Sequence, residues 1–324
     1  MEKIKVVTFG GGGGQSQILS GIKNLDIDII TICTSSDSGG STGIMRKEYN
    51  LGGYLGDVSK CLWALSDKKD LENLFMHRFD KGFLKGHSVR NIIFSALIEK
   101  HGEKFALESM HKLFKIKNHK VIPSTFEKTS LQVKLKSGQT ISGETYIDTI
   151  SRNHLWEPER NGIVEAQLNP KANSSKEVEK EINSADFIVI CPGDLFTSVI
   201  PALLPKGISK AIGKSKAKII IITNIMTKLG ETDGYNVMNF VHEIKKHLSG
   251  KNPDYIISNN GKIPENLLEK YKIREHKVKA VIPNSIIPGS TLITKDLWIK
   301  DSQGHIRHDP NKITEILRTI FSRT

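Results

Sequence analysis

The chain has 324 residues, 38% of them hydrophobic, which is enough to bury a large core in one large domain or two smaller ones. Its formal net charge of +12 comes mainly from lysines spread along the sequence, so a solvated surface explains it better than a nucleic-acid interface. Three widely spaced cysteines show neither a disulfide framework nor a zinc-ligand spacing, and no apolar run approaches the roughly 18 residues that cross a bilayer. We therefore expect a cytoplasmic globular protein with no nucleic-acid partner and no membrane span.

Short runs rich in Ile and Val alternate with amphipathic stretches along most of the chain. The runs are apolar at consecutive positions, which predicts strands buried on both faces and hence a parallel sheet covered by helices. The predicted strands are 3–9, 28–34, 186–191, 218–223 and 255–258. Helices are predicted after the first strand and over 57–66, 89–100, 177–183, 201–213 and 237–248. In such an α/β fold, ligands bind at the carboxyl ends of the strands.

The stretch FGGGGGQSQ, residues 9–17, places five glycines between the first strand and the first helix. No register of it fits the G-x-G-x-x-G dinucleotide fingerprint, and no Gly-Lys pair closes it as in a P-loop. The glycines would allow backbone N–H groups at a helix N-terminus to approach a phosphate or diphosphate; the alternative is a loop that only permits tight packing. On the first hypothesis, Gly12→Val should abolish nucleotide binding and leave the fold intact. The candidate contacts are Gly11, Gly12, Gly13, Gln15 and Ser16.

Further polar, small-residue stretches follow strands or begin helices: SSDSGGSTG (35–43), GDVSKCLWAL (56–65), GHSVRN (86–91), CPGDLFTS (191–198) and TNIMTKLGETDGY (223–235). Such loops on neighbouring strands outline a shared pocket. Two alternatives stay open, because Asp57 could simply cap its helix and His87 could be a structural hydrogen-bonding residue. The candidate residues are Asp37, Gly39, Gly40, Ser41, Asp57, His87, Ser88, Asn91, Gly193, Asp194, Thr197, Ser198, Asn224, Thr227, Glu231 and Asp233.

The pattern changes in LQVKLKSGQTISGETY, residues 131–146. Leu131, Val133 and Leu135 alternate with polar neighbours and a turn follows at 137–138, which predicts an antiparallel hairpin. We interpret the chain as one α/β domain over 1–324 with a small β-rich insertion at about 118–165.

Taken in order, the motifs FGGGGGQS, SDSGGSTG, GDVSKCL, GHSVRN, CPGDLFTS and NIMTKLGETDGY resemble the gluconeogenesis-factor branch of the 2-phospho-L-lactate transferase (CofD) superfamily, over about residues 5–321. The resemblance implies a Rossmann-like core with an inserted subdomain and a UDP-sugar ligand such as UDP-N-acetylglucosamine. It also implies a cytoplasmic regulatory role that links carbon metabolism to cell-wall synthesis and cell shape. The implied partners are carbon-flux or cell-wall synthesis proteins, and a homo-oligomer is compatible with it.

An enzymatic alternative stays open, because the transferase relatives move a phospholactyl group from a guanylylated donor to a deazaflavin with a divalent metal. Those relatives carry two adjacent aspartates in DDGG, whereas Asp37 is followed here by Ser38. Loss of one carboxylate weakens a Mg²⁺ site, so we expect no obligatory cofactor and assign no metal ligand or catalytic residue, although Mg²⁺ is not excluded. Arg90 replaces a glycine common in the GHS motif, and Asp194 stands where the regulatory branch usually has serine.

Near the C-terminus, HIRHDP, residues 305–310, resembles the closing RHD element of the family. The resemblance implies that Arg307 contacts the diphosphate or uracil through its forked guanidinium. The alternative is a surface ion pair between Arg307 and Asp309 that contributes nothing to ligand binding. Tyr271 is a further candidate, for stacking on the base.

Overall fold

The computed structural model describes residues 3–67, 72–150, 162–269 and 287–322. Within them the chain alternates between strands and helices. The strands are β1 (Ile4–Gly10), β2 (Ile27–Cys33), β3 (Lys120–Pro123), β4 (Ser130–Leu135), β5 (Thr140–Ser142), β6 (Ile163–Asn169), β7 (Phe187–Ile190), β8 (Lys218–Ile222), β9 (Tyr255–Asn259), β10 (Thr291–Lys295), β11 (Trp298–Lys300) and β12 (Ile306–His308).

The helices cover both faces of the sheet that these strands build. They are α1 (Gly12–Ile22), α2 (Gly40–Glu48), α3 (Leu55–Leu65), α4 (Glu72–Met76), α5 (Val89–His101), α6 (Glu103–Leu113), α7 (Glu144–Ile150), α8 (Lys176–Asn183), α9 (Ile200–Leu203), α10 (Ile208–Lys214), α11 (Val237–Lys245) and α12 (Pro310–Phe321). Among these helices, none is both long enough and apolar enough to span a membrane.

Seven strands form one parallel sheet in the order β10-β9-β8-β7-β1-β2-β3, which confirms the Rossmann-like α/β prediction. Alternate residues of β1 enter different cores: Val7 and Phe9 pack on one face and Val6 on the other. The winding reverses between β1 and β7. A crevice opens at the carboxyl end of a parallel sheet at such a switch point, which is where ligands bind in this architecture.

The insertion differs from its predicted form. Residues 120–123, which we placed inside it, form β3 and pair with β2 in the main sheet. The predicted hairpin is confirmed as β4 and β5, with a turn closed by Gly138 N–H donating to Leu135 C=O, and β6 adds a third antiparallel strand that the pattern did not show.

The helix predicted over 201–213 is wrong as a continuous element. A π-helical turn, Leu195–Val199, leads into the short α9, and α10 starts only at Ile208. Pro205 lies between them, and proline lacks the N–H that a continuing helix needs and clashes with the preceding turn.

Candidate functional site

A cleft of about 330 Å³ lies at the switch point, lined by the loops that follow β1, β7 and β8 and by β12. These loops meet because the carboxyl ends of parallel strands share one edge of the sheet. Eight residues proposed from the sequence line the cleft: Gly11, Gly13, Gly193, Asp194, Ser198, Asn224, Thr227 and Arg307. Lining residues that the sequence did not single out include Gln17, Asp148, Lys228 and His305.

The glycines of the first loop serve different purposes. A Cβ on Gly14 would lie 2.0 Å from the carbonyl oxygen of Pro192, so this glycine permits close packing of the loops after β1 and β7. A Cβ on Gly13 would meet nothing within 4 Å. On Gly12 it would lie 2.4 Å from Asp57 Oδ1 and 2.7 Å from Lys60 Nζ, so the expectation that bulk at Gly12 enters ligand space is wrong.

Gln15, proposed as a ligand contact, points into the core. Its side chain is fully buried, and its Nε2 donates to Thr8 Oγ1 at 3.1 Å and to Ile32 C=O at 3.3 Å. Ser16 donates to Gly13 C=O within its own helix. The structure therefore assigns Gln15 a packing role, and Gln17 lies on the cleft in its place, where its Nε2 donates to His308 C=O at 2.7 Å.

Several proposed residues form a polar cluster, most of it buried, outside the cleft lining and around the N-terminal ends of α2, α3 and α5. They are Asp37, Gly39, Gly40, Ser41, Asp57, His87, Ser88 and Asn91. Within the cluster Ser41 Oγ lies 3.1 Å from His87 Nδ1, and Ser59 donates to Asn91 Oδ1. Ser88 Oγ is buried and has no hydrogen-bond partner within the described ranges.

Asp37 and Asp57 are the two carboxylates of this cluster. Asp37 Oδ1 accepts from Gly39 N–H at 2.8 Å, and burial, followed by the charge of Asp57, raises the pKa of Asp37 to about 6. Asp57 is not the N-cap residue, because α3 begins at Leu55 and places Asp57 within its first turn. Its Oδ1 lies 3.5 Å from Lys60 Nζ, so Asp57 forms an ion pair beneath the glycine loop.

Helix α7 of the insertion reaches the SDSGG loop. Ser38 N–H donates to Glu144 Oε2 at 3.4 Å, and Thr145 N–H donates to Ser38 Oγ at 3.1 Å. Burial, with the charges of Asp37 and Asp148, raises the pKa of Glu144 to about 8. The insertion thus contributes Glu144 and Thr145 to the polar cluster around the SDSGG loop, which the sequence pattern did not reveal.

Lys228 links this insertion to the second half of the chain. Its Nζ forms ion pairs with Asp148 of α7, with Asp194 at 2.7 Å and with Glu231 at 2.7 Å. Burial opposes the charged amine, yet the three carboxylates raise the pKa of Lys228 above its usual value. Oxygens of the three carboxylates lie within 4.8 Å of one another, a spacing that also suits a metal ion.

Two proposed residues have structural partners instead of facing the cleft. Glu231 is buried and accepts from Phe196 N–H and from Thr197 Oγ1, both at 3.0 Å, which fixes the π-helical turn. Asp233 Oδ2 accepts from Gly230 N–H within its own turn. By contrast, Asn224 lines the cleft and joins two of its loops, because its side chain bonds to both backbone groups of Gly193.

Strands β11 and β12 form an antiparallel hairpin at the cleft wall. Arg307 Nε donates to Asp301 Oδ2 at 3.4 Å, so the predicted alternative of a pair with Asp309 is wrong. Asp309 instead caps α12, where it accepts from the backbone N–H groups of Asn311 and Lys312. His308 is buried, and its Nε2 lies 3.0 Å from the carbonyl oxygen of Thr223. Burial lowers the pKa of His308 to about 4.

The remaining sequence candidate, Tyr271, lies outside the described residues. Of the residues that sequence reasoning missed, Lys228 and His305 stood inside quoted motifs, NIMTKLGETDGY and HIRHDP. Asp148 carried no such signal, because only the fold brings it near Lys228. Asp301 lies outside the quoted motif, although it is only four residues from His305.

The chain matches one family model and is similar to several bacterial proteins. The family model described as 2-phospho-L-lactate transferase CofD matches residues 6–298. A relative from Clostridium acetobutylicum is 36% identical over 319 residues, covering 97% of this chain and 68% of that longer protein. The gluconeogenesis factor of Bacillus subtilis is 33% identical and covers 98% of both chains. A upf0052-family crystal structure from Bacillus halodurans superposes with a TM-score of 0.88 at 33% identity, covering 97% of this chain and 99% of that one.

Proposed function

Because the chain belongs to the 2-phospho-L-lactate transferase CofD family and is similar to proteins named gluconeogenesis factor, we propose that it is a UDP-sugar-binding regulatory protein. UDP-N-acetylglucosamine is the ligand of first choice. The observation that carries the proposal is the pairing, across one cleft, of an uncapped helix N-terminus with the guanidinium of Arg307.

Both walls of the cleft favour a diphosphate. On one wall, α1 begins after Gly11 without a side-chain cap, so the N–H groups of its first turn and its dipole can interact with an anion. On the other wall, Arg307 provides a planar fork suited to phosphate oxygens. Asn224 and Thr227 supply polar groups nearby, and Met226 adds apolar surface for a base or sugar.

Binding without catalysis is supported at the position where transferase relatives have their second aspartate. Ser38 stands there, and its hydroxyl accepts from Thr145 N–H. The carboxylate of Asp57 already has the ammonium of Lys60 as its partner. Mg²⁺ is usually held by one or two carboxylates plus substrate phosphates, so we propose that the UDP-sugar binds largely without it.

The alternative is a phospholactate-type transferase. Two observations favour it: Asp37 and Asp57 remain near enough to affect each other electrostatically, and Asp148, Asp194 and Glu231 have a spacing that could hold a cation. A shared fold does not by itself establish that activity.

In the cell, we propose a cytoplasmic protein whose ligand state is communicated to proteins of carbon flux and cell-wall synthesis, with effects on cell shape. The relatives named gluconeogenesis factor support the link to carbon metabolism. A homo-oligomer is compatible with this role.

Calorimetric titration with UDP-N-acetylglucosamine, once in EDTA and once in Mg²⁺, tests the proposal. We expect binding in both buffers with similar affinity, and a thermal stabilisation of about 2.7 kcal/mol at a ligand concentration a hundredfold above Kd. Arg307→Lys should weaken binding about tenfold, because lysine keeps the charge and loses the fork. Arg318→Lys, at an exposed position of α12, is the matched control and should change nothing.

Two results would contradict the proposal. Absence of heat and of thermal shift with UDP-sugars removes the ligand assignment. Mg²⁺-dependent transfer of a phospholactyl group to a deazaflavin acceptor would make the transferase alternative correct.

A further inference from the structure

The β11–β12 hairpin places one carboxylate against two basic side chains, those of His305 and Arg307, at the cleft wall. Asp301 Oδ2 lies 3.1 Å from His305 Nδ1 and 3.4 Å from Arg307 Nε. His305 and Arg307 line the cleft, whereas Asp301 is not among its lining residues. Asp301 therefore contacts the two side chains from behind, as seen from the cleft.

The orientation of this carboxylate is fixed by the hairpin turn. Asp301 Oδ1 accepts from Gln303 N–H at 2.9 Å and from His305 N–H at 2.7 Å. Because Oδ1 is used by the backbone, Oδ2 is left to bind the two side chains. Partial burial opposes ionisation, yet the hydrogen bonds from His305 lower the pKa of Asp301, so it is a carboxylate at neutral pH.

We infer that Asp301 is a positioning residue that holds His305 and Arg307 as a two-residue clamp for the diphosphate of the ligand. The inference rests on the proposed function, since the anion is the diphosphate of the UDP-sugar. Arg307 uses only Nε on Asp301, and within the described residues its two terminal nitrogens have no partner. Those nitrogens form the fork that a phosphate accepts from. His305 is held through Nδ1, which leaves Nε2 for the ligand.

The sign of one substitution separates positioning from simple electrostatics. A carboxylate behind an anion site repels the anion, so through space its neutralisation should tighten binding. A positioning carboxylate has the opposite effect: its removal releases both side chains into many rotamers, and ordering them again on binding costs free energy.

The experiment compares Asp301→Asn with Asp296→Asn in calorimetric titrations with UDP-N-acetylglucosamine. Asp296 pairs with Lys312 at 3.2 Å on the neighbouring segment, so its substitution removes the same charge without touching the clamp. We expect Kd to rise about tenfold in Asp301→Asn and to stay within about twofold in Asp296→Asn. In an Arg307→Lys background, where the fork is already lost, the Asp301→Asn effect should shrink to about threefold or less.

An unchanged or lower Kd in Asp301→Asn would overturn the inference. So would an equal rise in both backgrounds, because that reports a general loss of structure. Thermal unfolding of each variant accompanies the titrations, since Oδ1 also closes the turn. Should Asp301→Asn unfold early, His305→Gln keeps the turn contacts and should still weaken binding several-fold; an unchanged Kd there overturns the clamp.

Failure of the proposed function gives a different result, namely no binding of the UDP-sugar to the parent protein. The same variants are then titrated with inorganic pyrophosphate. Weaker pyrophosphate binding in Asp301→Asn than in Asp296→Asn supports the clamp independently of the nucleotide. Equal binding in the two variants, or none in the parent, overturns it.

Discussion

Helices α1 and α12 begin beside the same cleft. They differ in whether a side chain caps the backbone N–H groups of the first turn. Helix α12 follows Asp309, whose carboxylate accepts from two of its backbone N–H groups. Helix α1 follows Gly11, which has no side chain to cap it. Helices α8 and α11 resemble α12, because Ser175 and Asn236 cap them through their side chains.

The difference separates a stabilising helix start from one that is available to a ligand. A capped first turn has already paired part of its unsatisfied N–H groups, so it offers an anion less. An uncapped turn lacks that stabilisation and keeps its donors and the positive end of its dipole for a ligand. On this view, α12 anchors the wall that carries Arg307, and α1 provides the opposite wall.

The largest expected effect is a loss of stability at Gly14. It tests whether α1, although uncapped, is packed rigidly against the loop after β7. Gly14→Ala places a Cβ 2.0 Å from the Pro192 carbonyl oxygen, which a backbone shift must relieve. We expect it to lower the free energy of unfolding by about 3 kcal/mol in chemical denaturation. Gly13→Ala, one residue earlier, is the matched control and should stabilise by up to about 1 kcal/mol, because its Cβ meets open space. Equal stabilities of the two variants would contradict a rigid contact at Pro192.

These adjacent glycines also show what the sequence could predict. Continuous Ile and Val runs identified the inner strands, because strands buried on both faces need apolar residues at every position. The glycine run lies at the cleft edge, whereas its contact with a ligand stays a prediction. It could not separate Gly13 from Gly14, since that difference depends on Pro192, far away in the chain. Gln15 was predictable in hindsight, because positions 15, 18, 19 and 22 form the buried stripe of α1.

Other features had no local signal. The strand over 120–123 is only four residues long, and its pairing with β2 comes from the fold. The ion pairs of Lys228 reach Asp148, which is 80 residues away and on an inserted helix. Side chains that act through distant partners cannot be predicted from spacing along one sequence.

The second effect is a pH dependence of stability at Glu144, the first residue of α7. Like Asp309 at α12, its carboxyl accepts from a backbone N–H, that of Ser38. Its pKa is raised to about 8 from an ordinary value near 4.5, so the folded protein binds a proton that the unfolded chain has released. Stability contributed by the neutral carboxyl is therefore full below about pH 4.5 and is lost as pH rises towards 8. Glu144→Gln should be as stable as the parent at pH 4.5 and about 2 kcal/mol more stable at pH 9, after allowance for partial solvent screening.

Denaturation at several pH values measures this difference. Glu165→Gln, at an exposed position of β6, is the control and should follow the parent at every pH. A constant offset between Glu144→Gln and the parent across the pH range would show that Glu144 is ionised in the folded protein. In that case its carboxylate would behave like the capping carboxylate of Asp309.

A smaller effect is expected on ligand affinity, at the side of α1 that faces the cleft. Gly13→Val fills space that the structure leaves open there. We therefore expect UDP-N-acetylglucosamine to bind at least about tenfold more weakly, which is near 1.4 kcal/mol, while the free energy of unfolding stays nearly unchanged. Gly12→Val, by contrast, should disturb the pair of Asp57 with Lys60 and lower stability. Full ligand affinity in Gly13→Val would return the glycine run to a packing role.

The smallest effect is expected at the capped helix. Asp309→Ala removes an acceptor from the N–H groups of Asn311 and Lys312, which should cost about 1 kcal/mol of unfolding free energy. Since Asp309 does not line the cleft, the affinity for the UDP-sugar should stay within about twofold of the parent. Asp309→Ser keeps a capping oxygen and should restore most of the stability. If Asp309→Ala weakened the ligand as strongly as Gly13→Val, the two helix starts would not differ in function, and α12 would have to be counted as part of the binding site.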